Sequence, residues 1–502
     1  MIWNMFQNIR YMQYVTVCIA TMTITSVSMY GAWPSPTLPI LQGNDSPIGR
    51  PLTDEEGSWL ASVVSLATPP SCLAVAWTIQ KLGRKGSLMA SSVLMLIPWI
   101  IIIFAQSPIV ICAARVIGGL GFGCAYSATT MYSGEVADVD LRGKLGIITS
   151  IMKLLGSFIV LAVGPFISYT ALSLVCMVVP LLSLVLISFM PESPYHLVAE
   201  GKTEEARDVL VTLATLNATP EYIDKKLLEI EDTVENDMQN QCTFREFISN
   251  EEYRQAFIIS IGIKSLNQFS GVSAIDSYMQ QIVASSGSSI SPEYSSIIFG
   301  AVQIPAAFVA IFLVDKVGRK PLLIVSALGC AAAYAGEAAY FYLQNEAGSN
   351  VDAISWLPTT GIVVFLVMNN IGVTTVPVVV LSEIFPTNIK SIAIAVNTFY
   401  GSTLSFLVSK FFKPMSNAMG MHYTFLLYMI CCVLGVFFVI FCVPETKGKT
   451  FTEIQLRLNK KYIKRRHKKM RKAHLKQARE MGIESSYPDF MKSTGAMTLG
   501  VV

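Results

Sequence analysis

Twice in this chain a short cationic phrase separates two long apolar runs: Lys81-Leu82-Gly83-Arg84-Lys85, then Lys316-Val317-Gly318-Arg319-Lys320. A glycine there lets two helices join through a tight turn, and the Arg and Lys hold that turn at a membrane face. Two further pairs keep nearly the same offset. Gly134-Glu135-Val136 with Arg142-Gly143 is echoed by Ser382-Glu383-Ile384 with Lys390-Ser391, and Pro191-Glu192-Ser193-Pro194 by Pro444-Glu445-Thr446-Lys447. Three echoes in one order describe a chain of two related halves, the repeat pattern of many secondary transporters.

The apolar runs decide the class. Hydrophobic residues make up 52% of the chain and charged residues 14%. About 20 residues of helix cross a bilayer core. Runs of that length recur at 12–33, 57–79, 87–106, 109–132, 144–167 and 171–190, then at 256–284, 294–314, 321–343, 355–381, 391–413 and 422–443. The expected fold is an all-α membrane protein, twelve helices in two six-helix bundles. Its divisions are an N-terminus at 1–11, a bundle at 12–190, a linker at 191–255, a bundle at 256–443 and a basic tail at 444–502.

Lys and Arg crowd the connections at 81–85, 142–144, 191–255 and 316–320, whereas 285–293 and 344–354 have none. The positive-inside rule then places both termini and the linker in the cytosol. Asn44-Asp45-Ser46 falls on the outer side as a glycosylation sequon at Asn44, and the cell membrane is the expected location. Within the linker, Val209, Leu210, Leu213 and Leu216, then Ile223, Leu227, Ile230 and Val234, follow helical spacing, so two amphipathic helices should brace the bundles from beneath. The tail holds 14 of the 37 Lys and Arg between Lys447 and Arg479. It reads first as a solvated positive-inside flank and second as a contact for anionic lipid; a membrane-tethered tail is a poor nucleic-acid binder.

Polar residues inside a spanning helix are costly against lipid, so they mark a wet cavity or a helix contact. The seventh run is the richest, with Ser265, Asn267, Gln268, Ser270, Ser273, Asp276, Ser277, Gln280 and Gln281. Amides and hydroxyls both donate and accept, which suits sugar hydroxyls. Gln303, Asn370, Thr374, Ser150 and Ser402 extend that face from other helices, and Gly372 with Pro377 allows a hinge. Lys153 either faces the cavity or is paired structurally. Arg115 is expected in a cytosolic ion-pair cluster with Glu135 or Glu192. The first helix has no Asp or Glu, which leans toward passive transport; a coupling acid elsewhere would be Asp276 or Glu337. Few His and no nucleophile–base or metal-spaced cluster leave no enzyme chemistry, metal site or cofactor to propose.

Together, Gly83-Arg84-Lys85, Glu135 with Arg142-Gly143, Pro191-Glu192-Ser193-Pro194, Gln268-Phe269-Ser270-Gly271, Asp315-Lys316 with Gly318-Arg319-Lys320, Glu383 and Pro444-Glu445-Thr446-Lys447-Gly448 resemble the sugar transporter family of the major facilitator superfamily. Trp33-Pro34-Ser35-Pro36-Thr37-Leu38-Pro39 is similar to its facilitated trehalose transporter branch. The resemblance implies a central site for trehalose or a hexose, alternating access by rocking halves, and a gate of interbundle salt bridges among Arg84, Glu135, Arg142, Glu192, Asp315, Arg319, Glu383 and Glu445 that holds the outward-open state. It also exposes departures. Ser273 stands for the family Asn, Gln303 for Asn, Val378 for an aromatic, and Gly401-Ser402 for Asn-Trp. Proton-coupled symport and a non-transporting sensor are the alternatives to passive uniport.

Overall fold

The computed structural model describes residues 12–138, 141–214, 219–239, 251–348, 351–385, 387–449 and 453–454. The tail beyond 454, the N-terminus at 1–11 and the linker stretch 240–250 lie outside them. Every regular element described is helical.

The first half comprises α1 (Met12–Ala32), α2 (Pro34–Gln42), α3 (Asp54–Phe104), α4 (Pro108–Val136), α5 (Arg142–Val163) and α6 (Tyr169–Ser188). The 51 residues of α3 are too long for one crossing. They break at Gly83, whose φ of 76° only glycine adopts freely, so α3 supplies the second and third spans. A capping box starts it: Glu56 N donates to Thr53 Oγ1 at 3.2 Å, and Thr53 N donates to Glu56 Oε2 at 3.1 Å.

Between the halves run α7 (Pro194–Ala199), α8 (Thr203–Leu213) and α9 (Pro220–Gln239). The two apolar stripes read from sequence do meet: Leu210, Ile223 and Ile230 form one small core under Tyr195 and Val198. The described polar contacts of these helices bind them to the first half. Gln13 Nε2 donates to the Leu213 carbonyl at 3.1 Å, and Lys226 pairs with Asp138.

The second half comprises α10 (Glu251–Phe269), α11 (Val272–Ser286), α12 (Pro292–Val317), α13 (Arg319–Asn345), α14 (Leu357–Met368), a π-helical turn at Asn369–Thr374, α15 (Thr375–Ile384), α16 (Thr387–Met419) and α17 (Met421–Cys442). The seventh run is thus two helices. Gly271 at φ 80° divides them, and a Cβ there would meet the Tyr428 ring at 2.8 Å. The hinge expected around Gly372 is the π-helical turn, one residue before α15.

Among the described residues, ten helical stretches are long and apolar enough to cross a membrane. Two more complete the set: the first part of α3, apolar over 57–79 up to the break at Gly83, and the seventh, which is polar and broken at Gly271. Their company makes twelve. Large apolar side chains such as Phe104, Ile109 and Phe441 are more than three-quarters exposed. On a water-soluble protein such a surface would aggregate; here it meets lipid.

Candidate functional site

Two networks form the face that carries the Gly-Arg-Lys turns. In the first half Arg84 grips Glu135 through two nitrogens, Nε at 2.8 Å from Oε2 and Nη2 at 2.8 Å from Oε1. Glu192 accepts the free backbone N–H groups of Arg84 and Lys85, each at 3.0 Å, at the start of the third span. A Cβ at Gly83 would lie 2.3 Å from Glu192 Oε2, so the carboxylate can dock only against a glycine. The second half repeats the device. Arg319 Nη2 lies 2.8 Å from Glu383 Oε1, and Glu445 accepts from Arg319 N at 3.1 Å and Lys320 N at 3.0 Å beside Gly318 at φ 103°.

In this conformation each of these pairs lies within one half. Arg84, Glu135 and Glu192 close on one another within the first half, and Arg319, Asp315, Glu383 and Glu445 within the second. Each arginine holds its own half's carboxylate, and the other carboxylate caps the next helix of that half. Asp315 adds little, since it is 79% exposed and 3.4 Å from Arg319. Arg142 begins α5, and its side chain lies outside the described residues.

The contacts joining the halves gather instead at the opposite face. Asp54 accepts from Asn417 Nδ2 at 2.7 Å and sits 3.9 Å from Lys413 Nζ. Gln281 Nε2 donates to Gln42 Oε1 at 2.6 Å, and Lys410 Nζ donates to Ser58 Oγ at 2.8 Å. Trp59 packs on Phe406 with ring centroids 5.9 Å apart. Asn44 is exposed on this same face.

Arg115 is not in the turn-face cluster. About 30 Å of helix separates it from Glu135 along α4. It is 1% exposed, donates Nη1 to the Tyr30 carbonyl at 3.3 Å, and stands 4.9 Å and 5.4 Å from the ring centroids of Tyr30 and Trp33. Aromatic faces therefore take the place of a carboxylate.

Between the two faces a chain of hydrogen bonds runs from one half into the other. Ser65 on α3 and Ser405 on α16 share a bond at 3.0 Å, and Ser405 shares another with Ser273 at 2.7 Å. Ser273 Oγ donates to Gln268 Oε1 at 3.0 Å, and Gln268 Nε2 donates to Asn267 Oδ1 at 3.0 Å. Asn267 Nδ2 then reaches the Val373 carbonyl at 3.1 Å, and Thr374 donates to Asn369 Oδ1 at 2.8 Å. Gly271 divides this stretch, and both parts pack on α16, Ser265 of α10 through Tyr400 and Ser273 of α11 through Ser405, while Asn267 reaches the π-helical turn. Of the expected lining, Asn267, Gln268, Ser273 and Thr374 come together here. Asn370 Nδ2 is turned back onto the Leu366 carbonyl at 2.9 Å, and Ser150 donates to the Gly146 carbonyl at 3.3 Å. Gln303 and Ser402 are half-buried on α12 and α16 and take no part in the chain.

Lys153 faces this region. Its ammonium lies within electrostatic reach of Tyr126 of α4 and of the Asp276 carboxylate of α11. Lys153 and Asp276 belong to different halves and both are exposed in mid-helix, so they line the cleft between the halves. Lys264 on α10, absent from the sequence-based site, lies within electrostatic reach of Lys153. Its signal was available: it is the one charge in the apolar stretch 255–275. Ser65, Ser405 and Tyr126 gave no such signal, because isolated hydroxyls are common in spanning helices.

The sugar (and other) transporter family model matches residues 8–458. The facilitated trehalose transporter Tret1 of Polypedilum vanderplanki is 30% identical over 448 residues, covering 89% of this chain and 88% of its own. That of Bombyx mori is 32% identical over 408 residues, 81% and 80% of the two chains. In three dimensions the inward open conformation of the xylose transporter XylE from E. coli superposes with a TM-score of 0.72 at 21% identity, over 89% of this chain and 99% of that one. Two pseudo-equivalent turn-face networks and a polar cleft between two six-helix halves are what such a family requires, and the chain belongs to the sugar (and other) transporter family of the major facilitator superfamily: a membrane transporter, not an enzyme.

Proposed function

We propose that this protein carries a sugar across the cell membrane by alternating access, with the turn face and both termini cytosolic and Asn44 exposed outside. The carrying observation is the Ser65–Ser405–Ser273–Gln268 chain. It places donor–acceptor groups on both sides of the cleft, so a bound polyol can replace bonds that now join the halves and couple its own binding to their movement. The contacts of Asp54, Gln42 and Ser58 close the outer face, while each turn-face network stays within its half; that is an inward-facing arrangement. Gln268, Asn267, Ser273 and Thr374 form the core of the substrate face, with Gln303, Asn370, Ser150 and Ser402 at its margins. The eight turn-face ionic residues, Arg142 among them, bridge the halves when the protein turns outward. The basic tail contacts anionic lipid.

The names of the relatives point to trehalose as the first neutral sugar to try, by a passive route. Uptake of labelled trehalose and glucose into vesicles, with Gln268→Ala as control, tests the site. Saturable uptake reduced at least tenfold by the substitution is expected, and uptake indifferent to it would overturn the assignment. Asp276, a carboxylate exposed in the cleft beside Lys153, favours proton coupling as the second reading. A protonophore that abolishes accumulation would establish that reading over the passive one.

A further inference from the structure

The charges in the cleft do not balance. Lys153 on α5 and Asp276 on α11 are exposed in the gap, Lys264 on α10 is half-buried against Gly401 one turn from Gln268, and Lys153 lies within electrostatic reach of both of the others. Among the described residues none of the three makes an ion pair within 4.0 Å. Their other partner in reach is the Tyr126 hydroxyl, and the facing part of α16 offers Gly401, Ser402 and Ser405, which carry no charge. Two ammonium groups and one carboxylate leave one positive charge in excess at mid-membrane.

Such an excess is expensive in a low-dielectric surround, and both lysines are held where it persists. Lys264 is not free to swing elsewhere through α16. Its Cε fills the space beside Gly401, 2.0 Å from where a Cβ would stand. The missing side chain at 401 and the lysine opposite it are one arrangement. A lysine is a compact point charge with three donors, suited to a carboxylate or phosphate oxygen. The hydrogen-bonding groups a few residues away, Gln268 and Ser273, suit hydroxyls.

We infer that the transported molecule is an anionic sugar: a hydroxylated ring or chain carrying a carboxylate or a phosphate, whose charge lies between Lys153 and Lys264 while its hydroxyls meet Gln268 and Ser273. The inference rests on the transport reading above and specifies its substrate class. Asp276 on the opposite side of Lys153 limits the excess to one charge, enough to prefer an anion and small enough to release it.

The test uses the full chain in proteoliposomes with labelled glucuronate, glucose 6-phosphate, glucose and trehalose, and it reads the ratio of anionic to neutral uptake, which is independent of how much protein is active. The intact protein should take up one or both anions at least tenfold faster than glucose, and the faster anion identifies the carboxylate or the phosphate as the charged group. Lys264→Met should lower the ratio about tenfold. Asp276→Asn should raise it, a direction that loss of folding cannot produce. Saturable, Gln268-dependent uptake of the neutral sugars with none of the anions would overturn this inference and leave the transport reading standing. No saturable uptake of any of the four would overturn both. An unchanged ratio in Lys264→Met and Asp276→Asn would overturn the role of the charges.

Discussion

Lys264 occupies the volume that any side chain at position 401 would need: a Cβ on Gly401 would stand 2.0 Å from Lys264 Cε. The contact is with the flexible end of a long side chain, so a methyl group there displaces the ammonium more than it disturbs α10 or α16. Gly401→Ala should therefore keep the thermal stability of the purified protein within about 1 kcal/mol while altering substrate selection. In the double variant with Lys264→Met the Ala should have no further effect. Additive changes in the anion-to-neutral uptake ratio would refute the pairing.

Gly83 and Gly201 share a positive φ, 76° and 77°, but differ in what surrounds them. Nothing lies within 4 Å of a Cβ at Gly201, whereas one at Gly83 would collide with Glu192 and His196. Alanine at 201 should cost only the backbone term, about 1 kcal/mol. Alanine at 83 should cost about 1–3 kcal/mol more, because the carboxylate that caps the third span must leave. Melting temperatures in detergent would separate them, and equal losses would show that Glu192 is not held there.

Burial alone would push the Glu445 carboxyl up, but the backbone N–H groups of Lys447, Arg319, Lys320 and Thr446 outweigh it and hold the group below the usual carboxylate range. A depressed pKa contributes stability that is fully present above the unfolded value and lost as pH falls through the folded one. Thermal stability should therefore decline below about pH 4.5, and Glu445→Gln should be less stable at neutral pH and flatter in acid. A variant as acid-sensitive as the parent would assign the loss to other carboxylates.

Asp54 ties Gln42, Asn417 and Lys413 together at the face opposite the turns, bridging the two halves. Asp54→Ala removes a partly exposed latch worth on the order of 1 kcal/mol, which should shift the balance of the two access states about fivefold. A cysteine placed at Ser405 should then react faster with an impermeant thiol reagent added on the outer side. No change in that rate would mean that the aromatic contact of Trp59 with Phe406 carries the closure.

Much of the site was legible before the fold. The polar face around Gln268 stands out because an amide inside an apolar run is costly unless it meets water, a ligand or another helix, and the paired turns stand out because they repeat. Arg115 was misplaced because its sequence neighbours say that it needs a partner but not which kind; the rings of Tyr30 and Trp33 come from a helix more than 80 positions earlier. The partners of the turn-face charges in this conformation were hidden for a similar reason. Opposite charges at one membrane face can pair within a half or across, and in this conformation Glu192 and Glu445 cap free N–H groups of their own halves.

What the sequence by itself determined is whatever depends on distance along the chain: twelve spans from apolar length, two halves from repeated phrases, and tight turns where glycine precedes Arg-Lys. Length and periodicity are local, and a bilayer imposes them on each segment separately. The tertiary structure decided which charges meet. Lys153, Lys264 and Asp276 come from three helices and two halves, and their mutual field depends on a break at Gly271 and on empty space at Gly401. Coulomb energy follows separation in space, so the excess charge of the cleft exists only once the halves are folded against each other.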